Sequence, residues 1–339
     1  TSIDKIFSLS SSLPYIRYGI LVIAVWYTLE KYQNFKNYFT ISLTICFILV
    51  LFDSYFQFFS GSSIFGTEYV RGRLSSVFGD ELIAGSYLSR LYPLLIGLVL
   101  LNYSKNKIFL TAIIISLILI DLIIFLSGER VAFFNLIISS TLIIVLINKW
   151  KKVRLYTFIA SLILIFIISS LNSDVKQRMV NHTLDQVSSE SKIYIFSEEH
   201  QNFYEASLKM FLDRPIFGHG PKMYRNICRD SKYFYTSPIT NVHTCSTSPH
   251  GVYPQLLAET GIAGTIFVIY VFLYISFVFC KHLFLKLRSS KSLNDYQICI
   301  LTAVFISLWP IIPSGNFFSS WISTIYFLPI GFILHSLNS

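Results

Sequence analysis

The sequence predicts an all-α integral membrane protein, a polytopic helix bundle of about nine spans, and three observations predict it. Of its 339 residues 53% are hydrophobic and only 13% are charged, more apolar side chain than a soluble fold of this length can hide. The mean hydropathy is +0.59. The apolar residues gather into nine segments, each near the length that crosses about 30 Å of hydrocarbon at about 1.5 Å per residue. Their mixed Leu, Ile, Val and Phe content has no period-2 alternation, so the segments read as helices and not as strands of a barrel.

In chain order the spans fall at 14–30, 39–59, 82–101, 108–126, 131–148, 155–171, 261–280, 297–313 and 317–335. The organisation is thus spans one to six over 1–171, a polar loop region with short helices over 172–260, and spans seven to nine over 261–339. The chain opens at Thr1 without methionine, and its first residues lack the tripartite pattern of a signal peptide, which leaves room for earlier spans.

Basic residues in the short loops set the orientation. One alternating set holds Lys31 and Lys36, Lys105 and Lys107, then Lys149, Lys151, Lys152 and Arg154, then Lys281, Lys286, Arg288 and Lys291. The other holds Arg71 and Arg73, then Arg130, then none in 313–316. The richer set is cytoplasmic, so the long polar region faces outward, away from the cytoplasm. The net charge of +9 is explained by this topology, and no nucleic-acid partner is expected. Cys228 and Cys245 both lie in the outward region. An oxidising compartment permits a bridge between them; two inert thiols are the alternative.

Patterns of soluble catalysis are missing: no Gly-rich phosphate loop, no His-Glu-x-x-His, no Cys-x-x-Cys and no Asp-x-Asp. The outward segments carry the candidate chemistry instead. His250 follows Pro249 where a helix leading into the seventh span is expected to start, and an imidazole at that boundary can move a proton near neutral pH. Glu259, nine residues on, falls on the opposite face of such a helix and is read as an interfacial anchor, with Gly261 and Gly264 allowing close packing. Arg130 follows Ser127-Gly-Glu129 in a hairpin between two spans. Its planar, permanently charged fork suits a phosphate or a lipid headgroup.

Arg71 and Arg73 form a second basic site before the third span. Lys222, Arg225 and Arg229, at i, i+3 and i+7, would share one face of a helix following Gly218-His-Gly-Pro221, either guiding a polyanionic lipid or simply solvated. His200, Tyr204, Met210 and Phe211 belong to a preceding amphipathic helix expected at the membrane surface, where Tyr204 either stacks on a sugar or packs in a core. Within the spans, Arg90 lies about 13 Å below the outer surface and Asp53 and Asp121 about 9 Å below it. An ion pair from Arg90 to one of these carboxylates is expected, as a structural clamp or as part of a route through the bundle.

The chain from about Arg71 to Gly264 resembles the O-antigen ligase and O-antigen polymerase superfamily of bacterial envelope glycosyltransferases. The likeness runs through Arg71-Gly-Arg-Leu-Ser-Ser-Val-Phe-Gly79, Ser127-Gly-Glu-Arg130, Met210-Phe-Leu-Asp-Arg-Pro-Ile-Phe-Gly-His-Gly220 and the block from Pro249 and His250 to Glu259-Thr-Gly261. The resemblance implies an enzyme of the bacterial inner membrane that takes a glycan from undecaprenyl pyrophosphate and joins it to an acceptor sugar on the periplasmic face. It implies His250 as the base that activates the acceptor hydroxyl and Arg130 as a pyrophosphate ligand, with no metal and no cofactor.

Two departures matter. The hairpin carries Glu129 where the family commonly has Ser, and His250 is followed by Gly251 where Asn is usual. A second arginine expected ahead of the helix bearing Tyr204 is matched here by His200, so pyrophosphate affinity would depend on pH or come from Arg225 or Arg73. A ligase acting on the lipid A core is the preferred reading; a polymerase with a lipid-linked repeat unit as acceptor has the same chemistry. A transporter lined by Arg90, Asp53 and Asp121 is the reading from another class.

Overall fold

In the computed structural model every one of the nine apolar segments is helical. The structure describes residues 2, 4–70, 72–101, 107–189, 192–193, 197–236, 243–288, 290, 293–310 and 312–338. The helices are α1 (Lys5–Ser12), α2 (Ile16–Lys31), α3 (Phe35–Ser60), α4 (Ala84–Leu101), α5 (Lys107–Leu126), α6 (Arg130–Leu146) and α7 (Lys151–Leu171). They continue with α8 (Ser173–Lys176), α9 (His182–Val187), α10 (Glu198–Asp213), α11 (Tyr224–Ile227), α12 (Val252–Leu287), α13 (Asp295–Ser307) and α14 (Ser320–Asn338). A π-helical turn, Gln177–Asn181, links α8 to α9, and a two-residue antiparallel pairing joins Ser188–Ser189 to Lys192–Ile193. Among the described residues seven helices are long and apolar enough to cross a membrane, whereas α6 and α13 are shorter. This is a multi-pass membrane protein.

Helix α13 falls short of its expected span, stopping at Ser307 and not near residue 313. Pro310 and Pro313 account for this, because a proline pushes the residue before it out of the helical region and supplies no N–H.

The chain divides into two packed units. The first comprises Thr1–Val25, Leu184–Phe277 and Leu308–Gly331; the second comprises Trp26–Thr183, Val278–Ser307 and Phe332–Ser339.

In the second unit α4 is the central element, buried along nearly its whole length, and α13 is buried on almost every residue. Gly97 lets them approach, since a Cβ there would lie 2.9 Å from that of Cys299. The Nζ of Lys286 donates to the carbonyls of Val145, Leu146 and Ile147 at the end of α6, where a cation meets the negative end of the helix dipole.

The intramembrane charges of this unit do not pair as expected. Asp121 in α5 accepts from Arg154 in a two-pronged bond, Nη1 to Oδ2 at 2.8 Å and Nη2 to Oδ1 at 3.0 Å. Ser161 donates to the same carboxylate at 2.8 Å, and the guanidinium lies 5.1 Å from the Tyr92 ring centroid. Asp53 instead accepts the Ile64 N–H at 2.7 Å and fastens the loop after α3. Arg154 sits with the loop lysines in sequence. Yet α7 begins at Lys151, and its first turn leaves Lys151 and Lys152 exposed while turning Arg154 inward. Asp121 is therefore a clamp within the bundle. Asp121→Ala is expected to destabilise the protein by about 3–5 kcal/mol, because it leaves a buried guanidinium unpaired, whereas Asp121→Leu combined with Arg154→Met should cost much less. Thermal melts of the two variants in detergent check this.

Candidate active site

His250 belongs to the first unit and lies just ahead of α12, which starts at Val252, two residues later than the sequence suggested. Its backbone is left-handed, with φ of 52°, a conformation that costs a non-glycine residue about 1 kcal/mol or more and persists only where surroundings hold it. The holding bonds are visible. The His250 carbonyl accepts from the Tyr204 hydroxyl at 3.2 Å and from the Ser314 N–H at 2.9 Å. Burial pushes the Tyr204 phenol above its ordinary pKa, so it remains a donor throughout the physiological range. Gly251 leaves room for this arrangement, since a Cβ there would come 3.0 Å from the Tyr204 ring.

The His250 imidazole points among polar and aromatic groups. Its Nε2 lies 3.1 Å from the Ser246 hydroxyl, and its ring centroid is 5.9 Å from that of His200 and 5.6 Å from that of Phe203. Burial lowers its pKa, and the negative charge of Glu199 acts in the opposite direction. The neutral imidazole therefore dominates at pH 7, the form that can accept a proton from a hydroxyl. His200 is placed by the α10 cap, where Ser197 Oγ accepts the His200 N–H at 3.4 Å and lies 2.5 Å from Nδ1. Tyr204, read from sequence as a sugar platform or core residue, is a support for the His250 backbone.

Glu259 is not an interfacial anchor. It is fully buried, accepting the N–H groups of Lys222 at 2.9 Å and Tyr224 at 3.0 Å and the Gln255 amide at 3.1 Å. The same Gln255 amide donates to Asn316 Oδ1 at 2.8 Å, while its Oε1 accepts the Phe317 N–H at 2.8 Å. Two residues later α12 breaks at Gly261, whose φ is 62°. The break frees backbone groups that the segment 215–220 takes up. Pro215 and Ile216 carbonyls accept the N–H groups of Ile262 and Ala263, and the N–H groups of His219 and Gly220 reach the carbonyls of Ala258 and Glu259. A Cβ on Gly261 would stand 2.5 Å from the Ile216 backbone. The close packing foreseen at this glycine is backbone against backbone.

Cys228 and Cys245 form a disulfide, closing a separation of 17 residues. It joins a cluster of Met210, Met223, Tyr224, Ile227, Tyr233 and Ala258, and the strand of chain leaving Cys245 leads directly to Ser246 and His250. Cys228→Ser is expected to lower stability by about 3 kcal/mol. Reduction should do the same to the unsubstituted protein, and melts with and without reductant check both.

The expected basic stripe does not form a single helical face. Helix α11 covers only Tyr224–Ile227, Lys222 precedes it at a positive φ of 61°, and Arg229 follows it. The left-handed backbone at Lys222 interrupts any longer helix, and Glu259 accepts the N–H groups of Lys222 and Tyr224 where α11 begins. Arg225 lies near enough to act electrostatically on Glu259.

In the second unit three segments meet. Leu74 N–H donates to the Ser127 carbonyl at 3.2 Å, Arg73 Nη2 to the Leu82 carbonyl at 3.2 Å, and Arg178 Nε to the Gly128 carbonyl at 3.2 Å. Gly72 and Gly128 make this possible. A Cβ on Gly128 would overlap the Gly72 carbonyl oxygen at 2.1 Å, and one on Gly72 would press on Arg178 Cβ at 3.0 Å. Glu129, the departure noted in the hairpin, accepts from the N–H groups of Gly85 and Ser86 at 2.8 and 3.2 Å and from the Ser86 hydroxyl at 2.5 Å. Its carboxylate thus fastens the hairpin to α4. Arg73 and Arg130 repel one another, and both act on Arg178. Arg178 escaped the sequence reading, since nothing in its spacing marks it; only the turn after α7 carries it back to the hairpin. Arg71 lies outside the described residues.

Residues 113–269 match the family described as O-antigen ligase. No curated protein matches the chain. The matched stretch contains Arg130, Arg178, His200, Tyr204, Lys222, Arg225, His250 and Glu259, and the members of this family are glycosyltransferase-like ligases and polymerases. Residues 113–269 thus form a domain that matches the O-antigen ligase family, within a chain whose apolar helices make it a multi-pass membrane protein.

Proposed function

We propose that the protein transfers a glycan from undecaprenyl pyrophosphate to an acceptor sugar, the lipid A core, on the periplasmic face of the bacterial inner membrane. The acceptor O–H gives its proton to the His250 imidazole while its oxygen attacks the anomeric carbon. The bond from that carbon to the pyrophosphate oxygen breaks, and the electron pair leaves on undecaprenyl pyrophosphate with its charge met by Arg130 and Arg73. Attack opposite the leaving group inverts the anomeric configuration. Positive charge set in place before the reaction contributes most to such a departure, and base catalysis adds about 10² to 10⁴ fold.

One observation carries this reading. A partly buried, neutral imidazole sits on a strained backbone that Tyr204 and Ser314 hold in place, with a hydroxyl 3.1 Å from Nε2. His200, Lys222 and Arg225 belong to the same outward region and are assigned to glycan or phosphate binding, with Arg71 joining Arg73. The disulfide fits an oxidising, extracytoplasmic location.

The test is reconstitution of the full chain in nanodiscs with a lipid-linked glycan and core lipopolysaccharide. Ligated lipopolysaccharide is the expected product. Elongation of the lipid-linked glycan without ligation would identify a polymerase, and neither product, with substrate moved across a sealed vesicle, would favour a transporter.

A further inference from the structure

We infer that Arg178 is a third phosphate-binding guanidinium, completing with Arg73 and Arg130 a site in the second unit for the diphosphate end of a lipid-linked donor. The inference rests on the reading of Arg130 as a phosphate ligand and adds a residue to it. Its basis is the meeting of three backbone segments. The Nε of Arg178 is pinned to the Gly128 carbonyl at 3.2 Å, two residues from Arg130, and its Cβ packs over Gly72, next to Arg73. Arg73 is held by one Nη to the Leu82 carbonyl, while its Nε is buried with no hydrogen-bond acceptor.

Burial and the charges of Arg73 and Arg130 together hold the Arg178 guanidinium below its ordinary pKa. The hairpin carboxylate of Glu129 is held by Gly85 and Ser86 and acts electrostatically on Arg73. Three partly buried guanidiniums gathered at one meeting of backbone segments offer a multivalent anion of phosphate oxygens charge-assisted, forked bonds. The two glycines have the same explanation. Without them neither the loop at Gly72 nor the hairpin at Gly128 could close to this distance.

The chemistry is that of phosphate, and it has two sources, the donor's diphosphate or the headgroup of an anionic phospholipid. The experiment separates them. The full chain is placed in nanodiscs of neutral phosphatidylcholine, and in parallel in discs containing phosphatidylglycerol. Inorganic pyrophosphate binding is measured by calorimetry, and the KM for lipid-linked donor is measured alongside it. Arg178→Gln is expected to weaken pyrophosphate binding in neutral discs by about tenfold or more and to raise the donor KM by a similar factor, with Arg178→Lys recovering part of both. Melting temperatures identify any variant that has lost its fold, in which case Arg178→Lys alone carries the comparison with Arg130→Gln. Unchanged pyrophosphate binding in Arg178→Gln, with binding weakened in Arg130→Gln, overturns the inference and leaves the Arg130 reading standing. Unchanged binding in both variants removes both. An Arg178 effect confined to phosphatidylglycerol discs overturns the donor assignment in favour of a lipid headgroup.

Discussion

His250→Ala is expected to reduce glycan transfer by about 10² to 10⁴ fold while leaving the protein folded. The bonds that hold this residue go to its carbonyl from Tyr204 and Ser314, so removing the imidazole leaves them in place. His250→Asn is the gentler control, since asparagine tolerates left-handed backbone better than alanine does. The pH dependence has a definite sign. On the proposed mechanism the neutral ring is the base, and burial depresses its pKa, so kcat/KM should be flat above neutrality. It should fall in acid with a midpoint below the usual histidine value of about 6.5. Glu199→Gln removes the carboxylate that favours the protonated ring, and the acid limb should then move to still lower pH. Rate profiles of purified protein decide this. A limb above pH 7, or full activity in His250→Ala, would exclude His250 as the base.

Arg130→Gln is expected to lower kcat/KM by about 10² to 10³ fold, the loss usual when one donor to a developing negative charge is removed. Most of that loss should appear in kcat if Arg130 bonds the departing pyrophosphate more strongly than the bound donor, and in KM if it bonds both alike. Combining it with His250→Ala should cost less than the product of the separate losses, because the proposed mechanism has the two act in one chemical step. Strict multiplication, with folding intact, would place Arg130 outside that step.

Much of the fold was written in the composition. Long apolar runs admit few structures in lipid, since every backbone N–H and C=O must be satisfied within the segment, and all nine segments are helices. The exceptions were residues whose neighbours in sequence misrepresent their neighbours in space. Arg154 follows three lysines, yet it turns inward to Asp121 because of where α7 starts. Glu259 sits at helical spacing for an interface, yet the break at Gly261 and the return of 215–220 bury it.

The candidate site divides in the same way. His250, Arg130 and Arg73 stand out in the sequence because each lies in a loop beside an apolar span, where an imidazole or guanidinium has little structural use. His200 and Tyr204 were legible as neighbours in one helix, but the bond from Tyr204 to the His250 backbone was not. By itself the sequence determined a helical membrane protein with a histidine and arginines in the loops beside its spans, because hydrophobicity and charge act locally along the chain. Only the tertiary structure decided that Asp121 meets Arg154, that Glu259 is enclosed and that Arg178 joins Arg73 and Arg130. Those pairings depend on helix starts, a glycine break and glycine-permitted backbone contacts, which come into being only when distant segments pack.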